Sequence, residues 1–136
     1  MDILDNPPKK KAPREASLWA QLKSNLPRGW YATRLESRAT LGVPDVIFMD
    51  DLGGWHMVEL KTTDRPTVKI SAHQVAFQGK HDRGSCWMAV LWKDKGLYLF
   101  KGNQAVDLKL EGMSAEHHTF LPLPVDWERF YKTLAS

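Results

Sequence analysis

The stretch GVPDVIFMDDLGGWHMVELK, residues 42–61, sets two apolar runs on either side of a polar loop and places its acids at the outer ends of those runs. Residues 46–49 and 55–60 have strand composition, and Asp50-Asp51-Leu52-Gly53-Gly54 between them supplies the residues of a hairpin loop. If that segment is the loop, Met49 faces Trp55 and the same register puts Asp45 opposite Glu59. The two carboxylates then share one sheet face with Cβ atoms roughly 5 Å apart, and Lys61, two residues beyond Glu59, points the same way. Two such charges repel by roughly 3 kcal/mol at an effective dielectric of ~20, a cost from which a purely structural hairpin gains nothing. A divalent cation relieves it. Mg²⁺ takes oxygen ligands, accepts one or two carboxylates from a protein and keeps waters free for chemistry.

The remaining sequence bounds what such a site belongs to. With 136 residues the chain is the size of one domain, and 43% hydrophobic with 26% charged residues is the composition of a globular fold. The lone cysteine, Cys86, excludes an internal disulfide framework and suits a reducing compartment. There is no apolar segment of membrane-spanning or signal-peptide length, so the sequence reads as an intracellular, cytoplasmic protein with no membrane partner. A net charge of +3 permits a polyanionic partner without requiring one. Lys9, Lys10, Lys11 and Arg14 form a basic tail over residues 1–14, followed by one domain over residues 15–136. By composition alone such a tail is a solvated end; its functional reading is phosphate contact.

Periodicity predicts a helix over residues 15–26, with Leu18, Trp19, Leu22 and Leu26 on one stripe and Pro27-Arg28-Gly29 as its stop. Ser71 is a good cap for a second helix over residues 72–81, and Asp126 for a last one carrying Trp127, Phe130, Tyr131 and Leu134. Residues 86–92 and 97–101 read as another strand pair. Helices alternating with strands in this order predict an α/β fold, a central mixed sheet flanked by helices. Glu15 shares the apolar face of the first helix and is therefore aimed toward the sheet, although an acid in a first turn is also favoured by the helix dipole. Glu36 competes with it as a third acid.

At these residues the chain resembles the PD-(D/E)XK nuclease superfamily. Pro44-Asp45 matches the first half of the signature and Glu59-Leu60-Lys61 the second, with Gly42 ahead of the pair and apolar strands around both halves. Ser71-Ala72-His73-Gln74 is similar to the Ser-x-x-Gln that follows the motif in virus-type replication-repair (VRR-NUC) nucleases. The Arg34-Leu35-Glu36-Ser37 run leading to Asp45 is similar to the approach found in archaeal-type Holliday junction resolvases. The resemblance spans about residues 15–92 and leaves the C-terminal third outside it. It implies a restriction-endonuclease-like core and metal-dependent hydrolysis of DNA phosphodiesters. Asp45, Glu59 and the Leu60 carbonyl would ligate Mg²⁺, or Mn²⁺ in its place, and Lys61 would handle the attacking water. Glu15 would complete the acid set and Gln74 would position Lys61 or the bound waters. Arg34 and Ser37, with the basic tail, would contact DNA phosphates. A minimal chain with no sequence-reading module favours a branched substrate such as a four-way junction, and symmetric cutting implies a homodimer.

Two rival readings stand beside this one: a non-catalytic nucleic-acid-binding module that retains the fold, and a restriction- or repair-type nuclease acting on other DNA. The five histidines show no zinc-like grouping, and adjacent His117 and His118 would point apart. Trp87 and Trp92 read as core or dimer-face residues, Cys86 as a buried inert thiol, and Asp50 and Asp51 as turn residues.

Overall fold

The computed structural model describes residues 12–35 and 41–136, with side chains from Arg14 onward. The elements in chain order are α1 (Ala12–Ser24), β1 (Tyr31–Arg34), β2 (Val46–Met49), β3 (Trp55–Thr63), α2 (Ala72–Lys80), β4 (Cys86–Trp92), β5 (Gly96–Lys101), α3 (Ala105–Glu111), β6 (Thr119–Pro122) and α4 (Trp127–Ala135). The strands form a single sheet ordered β1-β2-β3-β4-β5-β6. Only β3 and β4 run parallel; every other neighbouring pair is antiparallel. The fold is therefore α/β with a mixed central sheet, as the residue pattern predicts.

Parallel pairing of β3 with β4 requires a crossover, which α2 supplies. β4 is consequently covered on both faces and reads as an apolar run, buried from Cys86 through Val90. Trp87 and Ala89 face Leu18 and Leu22 of α1 and Phe130, Tyr131 and Leu134 of α4. Met88 and Val90 face Ala105 and Leu108 of α3, with Val75 of α2 packed alongside. Trp87 is thus a core residue and Trp92 a half-buried one beside the second cluster.

Three expectations need correction. α1 begins ahead of Glu15 because Pro13 is tolerated in a first turn, where its missing N–H has no intrahelical partner to lose. It stops short of Leu26, where the Asn25 side-chain amide takes the Gln21 carbonyl at 2.8 Å. The sequence reading also omits α3 and β6. α3 is short and buries only Ala105 and Leu108, too few positions to show a period, while β6 is an edge strand ending in Pro122, a residue that masks strand character and is tolerated only at such an edge.

Asp50 is more than a turn residue. Its carboxylate accepts from the N–H groups of Leu52 (2.9 Å) and Gly54 (2.8 Å), which organises the loop, and it pairs with buried His56 at 2.8 Å. The His56 hydrogen bond, then that of Gly54, holds the Asp50 carboxyl below the usual range. On its other side His56 meets Ser85 Oγ at 2.5 Å, and Trp30 stacks on its ring. Trp87 Nε1 donates to the same hydroxyl at 2.9 Å, so Ser85 is tied into a buttress that joins the hairpin to β4.

Candidate active site

β2 and β3 pair from Met49 opposite Trp55 to Val46 opposite Val58, and β2 ends there while β3 runs on to Thr63. The predicted register holds, and its continuation meets a notch on the β2 side of β3, with Asp45 at the mouth. Leu60 has no strand partner on that side, and the carboxylate of Asp45 takes its place: Oδ2 accepts the Leu60 N–H at 3.1 Å. The Asp45 carbonyl accepts from Leu35 N at 2.6 Å, so both ends of the residue are anchored. In a strand the carbonyl of a residue faces the same side as its N–H, and the Leu60 carbonyl therefore also faces the notch.

Glu59 lies in the sheet beside this notch and is only 4% exposed. Its Oε2 accepts from Gln74 Nε2 at 3.0 Å and lies 3.8 Å from Lys61 Nζ. Its Oε1 is buried with no hydrogen-bond partner among the described residues. Gln74 reaches Glu59 because the start of α2 fixes it. Ser71 Oγ accepts from Gln74 N, and Gln74 Oε1 accepts from Ser71 N, each at 3.1 Å. One amide therefore closes the helix cap with its oxygen and grips the acid with its nitrogen.

Burial pushes the Glu59 carboxyl up to about 8, and the neighbouring charge of Asp45 adds to that rise. Lys61 opposes it, while a hydrogen bond to Asp45 and the charge of Glu15 act in the same direction as burial. Glu15, half-buried near the start of α1, is thereby close enough to Glu59 for their charges to interact. A buried acid with one unpartnered oxygen, raised by two other acids, fits a cation: the donor set is all oxygen and carries more negative charge than Lys61 offsets. The Asp45–Glu59 pair together with the Leu60 carbonyl would hold it. No cluster of three or more acid, histidine or cysteine ligands is present among the described residues.

The proton on Glu59 gives this site a pH signature. Between the ordinary value of 4.5 and about 8 the folded protein keeps a proton that the unfolded chain has released, so ion-free stability falls as pH rises through that window. Binding of a divalent ion must expel the same proton. Calorimetric titration with Mg²⁺ is expected to show affinity rising by up to about tenfold per pH unit below pH 8, then levelling, with one proton released per ion at pH 7. Glu59→Gln should remove the slope; a slope that survives it places the titrating group elsewhere.

The structure thus gathers Asp45, Glu59, Leu60, Lys61 and Gln74 around one notch, with Glu15 at its edge. Arg34 is not among them: it pairs with Val46, and by strand alternation it shares the face of Val46 and Val58, opposite to that of Asp45 and Glu59. Arg14 lies on α1 next to Glu15, exposed and 3.9 Å from Asp64. Lys9, Lys10, Lys11, Glu36 and Ser37 lie outside the described residues. Cys86 is buried, and desolvation followed by the charge of Glu59 pushes its thiol up to about 11, which leaves it unreactive at neutral pH. No helix among the described residues is long and apolar enough to cross a membrane.

Gly42 is the positional signal behind the motif. Its φ is +85°, and a Cβ there would stand 2.2 Å from the His73 carbonyl oxygen. The loop that delivers Asp45 therefore presses its backbone directly against the first turn of α2, the turn that delivers Gln74.

No protein-family profile matches the chain, and no curated protein sequence matches it. Among solved structures, it is similar to Hjc, a Holliday junction resolvase of the archaeal hyperthermophile Archaeoglobus fulgidus, at 18% identity and a TM-score of 0.47, over 65% of this chain and 73% of that one.

Proposed function

We propose that this protein is a divalent-metal-dependent DNA endonuclease that acts on branched DNA. The observation that carries the reading is the buried Glu59 facing Asp45, with one oxygen held by Gln74 and Lys61 and the other receiving no N–H donor, the two acids being linked only through a proton. A bound Mg²⁺ would polarise the scissile phosphate and acidify its own water. Asp45 and Glu59 supply the anionic ligands, and the anchoring of Asp45 on Leu60 N–H holds that carboxylate in place before any ion arrives. Lys61, half-buried beside Glu59, orients the attacking water and offsets the charge that collects on the phosphate oxygens. Gln74 keeps Glu59 in register and prevents its Oε2 from turning away. Glu15, close enough to Glu59 for their charges to interact, would complete the acid set around the ion. A non-catalytic binding module gains nothing from a buried acid pair that holds a proton at neutral pH, whereas a bound ion would displace that proton and use both carboxylates.

The purified protein is to be tested on four-way junction, flap, duplex and single-stranded DNA with and without Mg²⁺. Cleavage of junctions in Mg²⁺ alone is the expected result. Binding without cleavage in either Mg²⁺ or Mn²⁺ would favour the binding-module reading, and preferential cleavage of plain duplex would favour the restriction or repair type.

A dimer is part of the proposal. On the sheet face that carries Glu59, but beyond the part that α2 covers, Tyr31, Met49 and Trp55 stand in one cross-strand row, with Tyr31 66% and Trp55 62% exposed. Thr33, Ile47 and Met57 form the next row, and none of these side chains is charged. An apolar, uncharged sheet face of this kind suits a second copy better than a polyanion, and a self-complementary interface buries about 800 Å² per partner. Light scattering is expected to give the mass of two chains, and Trp55→Glu to give one. A monomer mass for the unaltered protein, both free and on DNA, removes the dimer.

The basic tail would add sequence-independent affinity. Each phosphate contact contributes roughly 0.9 to the slope of log affinity against log salt, so deleting residues 1–12 should flatten that slope by up to about three units per chain. The cleavage rate at saturating DNA should barely change. An unaltered slope identifies the lysines as a solvated end.

A further inference from the structure

Beside the notch, on the opposite face of β3, a groove of about 500 Å³ opens between α1, the end of β3, the β4–β5 turn and the loop before α4. Its volume falls in the range of pockets that enclose small organic molecules. The floor is apolar, formed by Leu18, Leu91, Val125 and Trp127, and the rim carries the cations Arg14 and Lys93 against the single acid Asp94, a net positive charge. Trp127 is held edge-on by Phe130, with ring centroids 5.6 Å apart, so its position is set by the core rather than by solvent.

Two covalent links join this groove to the candidate active site. Arg14 precedes Glu15 on α1, and Thr62 and Thr63, both lining the groove, follow Lys61 on β3. At about 3.3 Å per residue, Thr63 stands roughly 7 Å beyond Lys61, within reach of the nucleotide next to a phosphate bound at the notch. The occupant must therefore combine a flat apolar body with negative charge close to it. A nucleotide whose base has left the stack meets that description: an aromatic base for the apolar floor, Thr and Gln side chains for its polar edge, and phosphate for Arg14 and Lys93.

We infer that this groove receives an unstacked base of the substrate strand beside the cleaved bond, and that it selects DNA whose bases are free to leave the helix, as at a branch point. The inference rests on the nuclease reading and extends it to substrate choice. Fully paired DNA must be unstacked before it fills the groove, whereas a branched or single-stranded region need not be.

The test uses the full chain in Mg²⁺ with four-way junction DNA. A single 5-iododeoxyuridine is moved one position at a time past the cut site, and photo-crosslinks are mapped by mass spectrometry; one position is expected to crosslink to Trp127. Removing the base at that position should lower kcat/KM about tenfold. Ser17→Trp, at an exposed α1 position lining the groove, fills the cavity without touching the acids, and it should lower kcat/KM to a similar extent. In that variant the abasic substitution should have no further effect. Crosslinks that avoid Trp127, or losses from Ser17→Trp and the abasic site that multiply independently, overturn the inference while leaving the nuclease reading intact. If Ser17→Trp leaves cleavage unchanged and abolishes self-association, the groove belongs to a second copy and the inference falls. Absence of cleavage of any DNA by the unaltered protein removes both readings.

Discussion

Asp45→Asn, Glu59→Gln and Lys61→Ala are each expected to lower DNA cleavage by about a thousandfold while leaving a folded protein that still binds DNA. On the proposed reading the first two remove an anionic ligand of the ion, and the third removes the cation that would face the attacked phosphate. Activity and stability should move in opposite directions for the acids. Glu59 is buried against Asp45 with its carboxyl near 8, so replacing it by a neutral isostere removes a stability cost that accumulates from about pH 4.5 to about pH 8. The melting temperature of Glu59→Gln should therefore match that of the parent near pH 4.5 and exceed it near pH 8, with the gap widening between the two. A gel assay paired with melts at the two pH values reads both effects. Retention of more than about a tenth of the parent rate by any of the three defeats the site assignment. Glu15→Gln should also be severe; a mild Glu15→Gln beside a severe Glu36→Gln moves the third acid to Glu36.

Gly42→Ala carries the largest expected loss outside the acids, because two independent costs meet at that position. A non-glycine residue at a φ of +85° is strained by about 1–2 kcal/mol. The added methyl would stand 2.2 Å from the His73 carbonyl oxygen, and relief requires the loop and α2 to separate. Together they should cost about 3 kcal/mol, a fall in melting temperature on the order of 10 °C. Separation moves Asp45 on one side and Gln74 on the other, so cleavage should fall by a further factor of about 10–100 even where the protein remains folded. Thermal melts and single-turnover rates at a temperature well below both transitions separate the two effects. A variant with the parent's melting temperature and rate shows that the contact does not couple loop to helix.

The hairpin was legible in the sequence because each of its signals is local. Strand alternation and a glycine-rich loop determine the register from Met49 to Val46, and the same arithmetic carries Asp45 to Glu59. The cap at Ser71 was equally local, and it placed Gln74 on the first turn of α2. What escaped were features decided by neighbours distant in sequence. Asp50 reads as a turn residue until His56, Ser85 and Trp87 are brought beside it. Arg34 reads as a phosphate contact because it lies near the motif, but its alternation parity relative to Val46 assigns it to the far face. β6 and α3 were invisible because an edge strand with proline and a two-turn helix carry little periodic signal of their own; the core they complete holds them.

The buried hydroxyl of Tyr131 on α4 donates to the carbonyl of Leu22 on α1 at 2.6 Å, and Phe130 and Leu134 close over the same helix. α1 is synthesised before α4, so the segment bearing Glu15 waits for the element that clamps it. On the proposed reading, nascent and prematurely terminated chains carry every motif acid yet lack the brace that fixes one of them against the sheet. On that same reading, a chain interrupted before α4 would hold the acids without the activity, and cutting would begin only once the fold is closed.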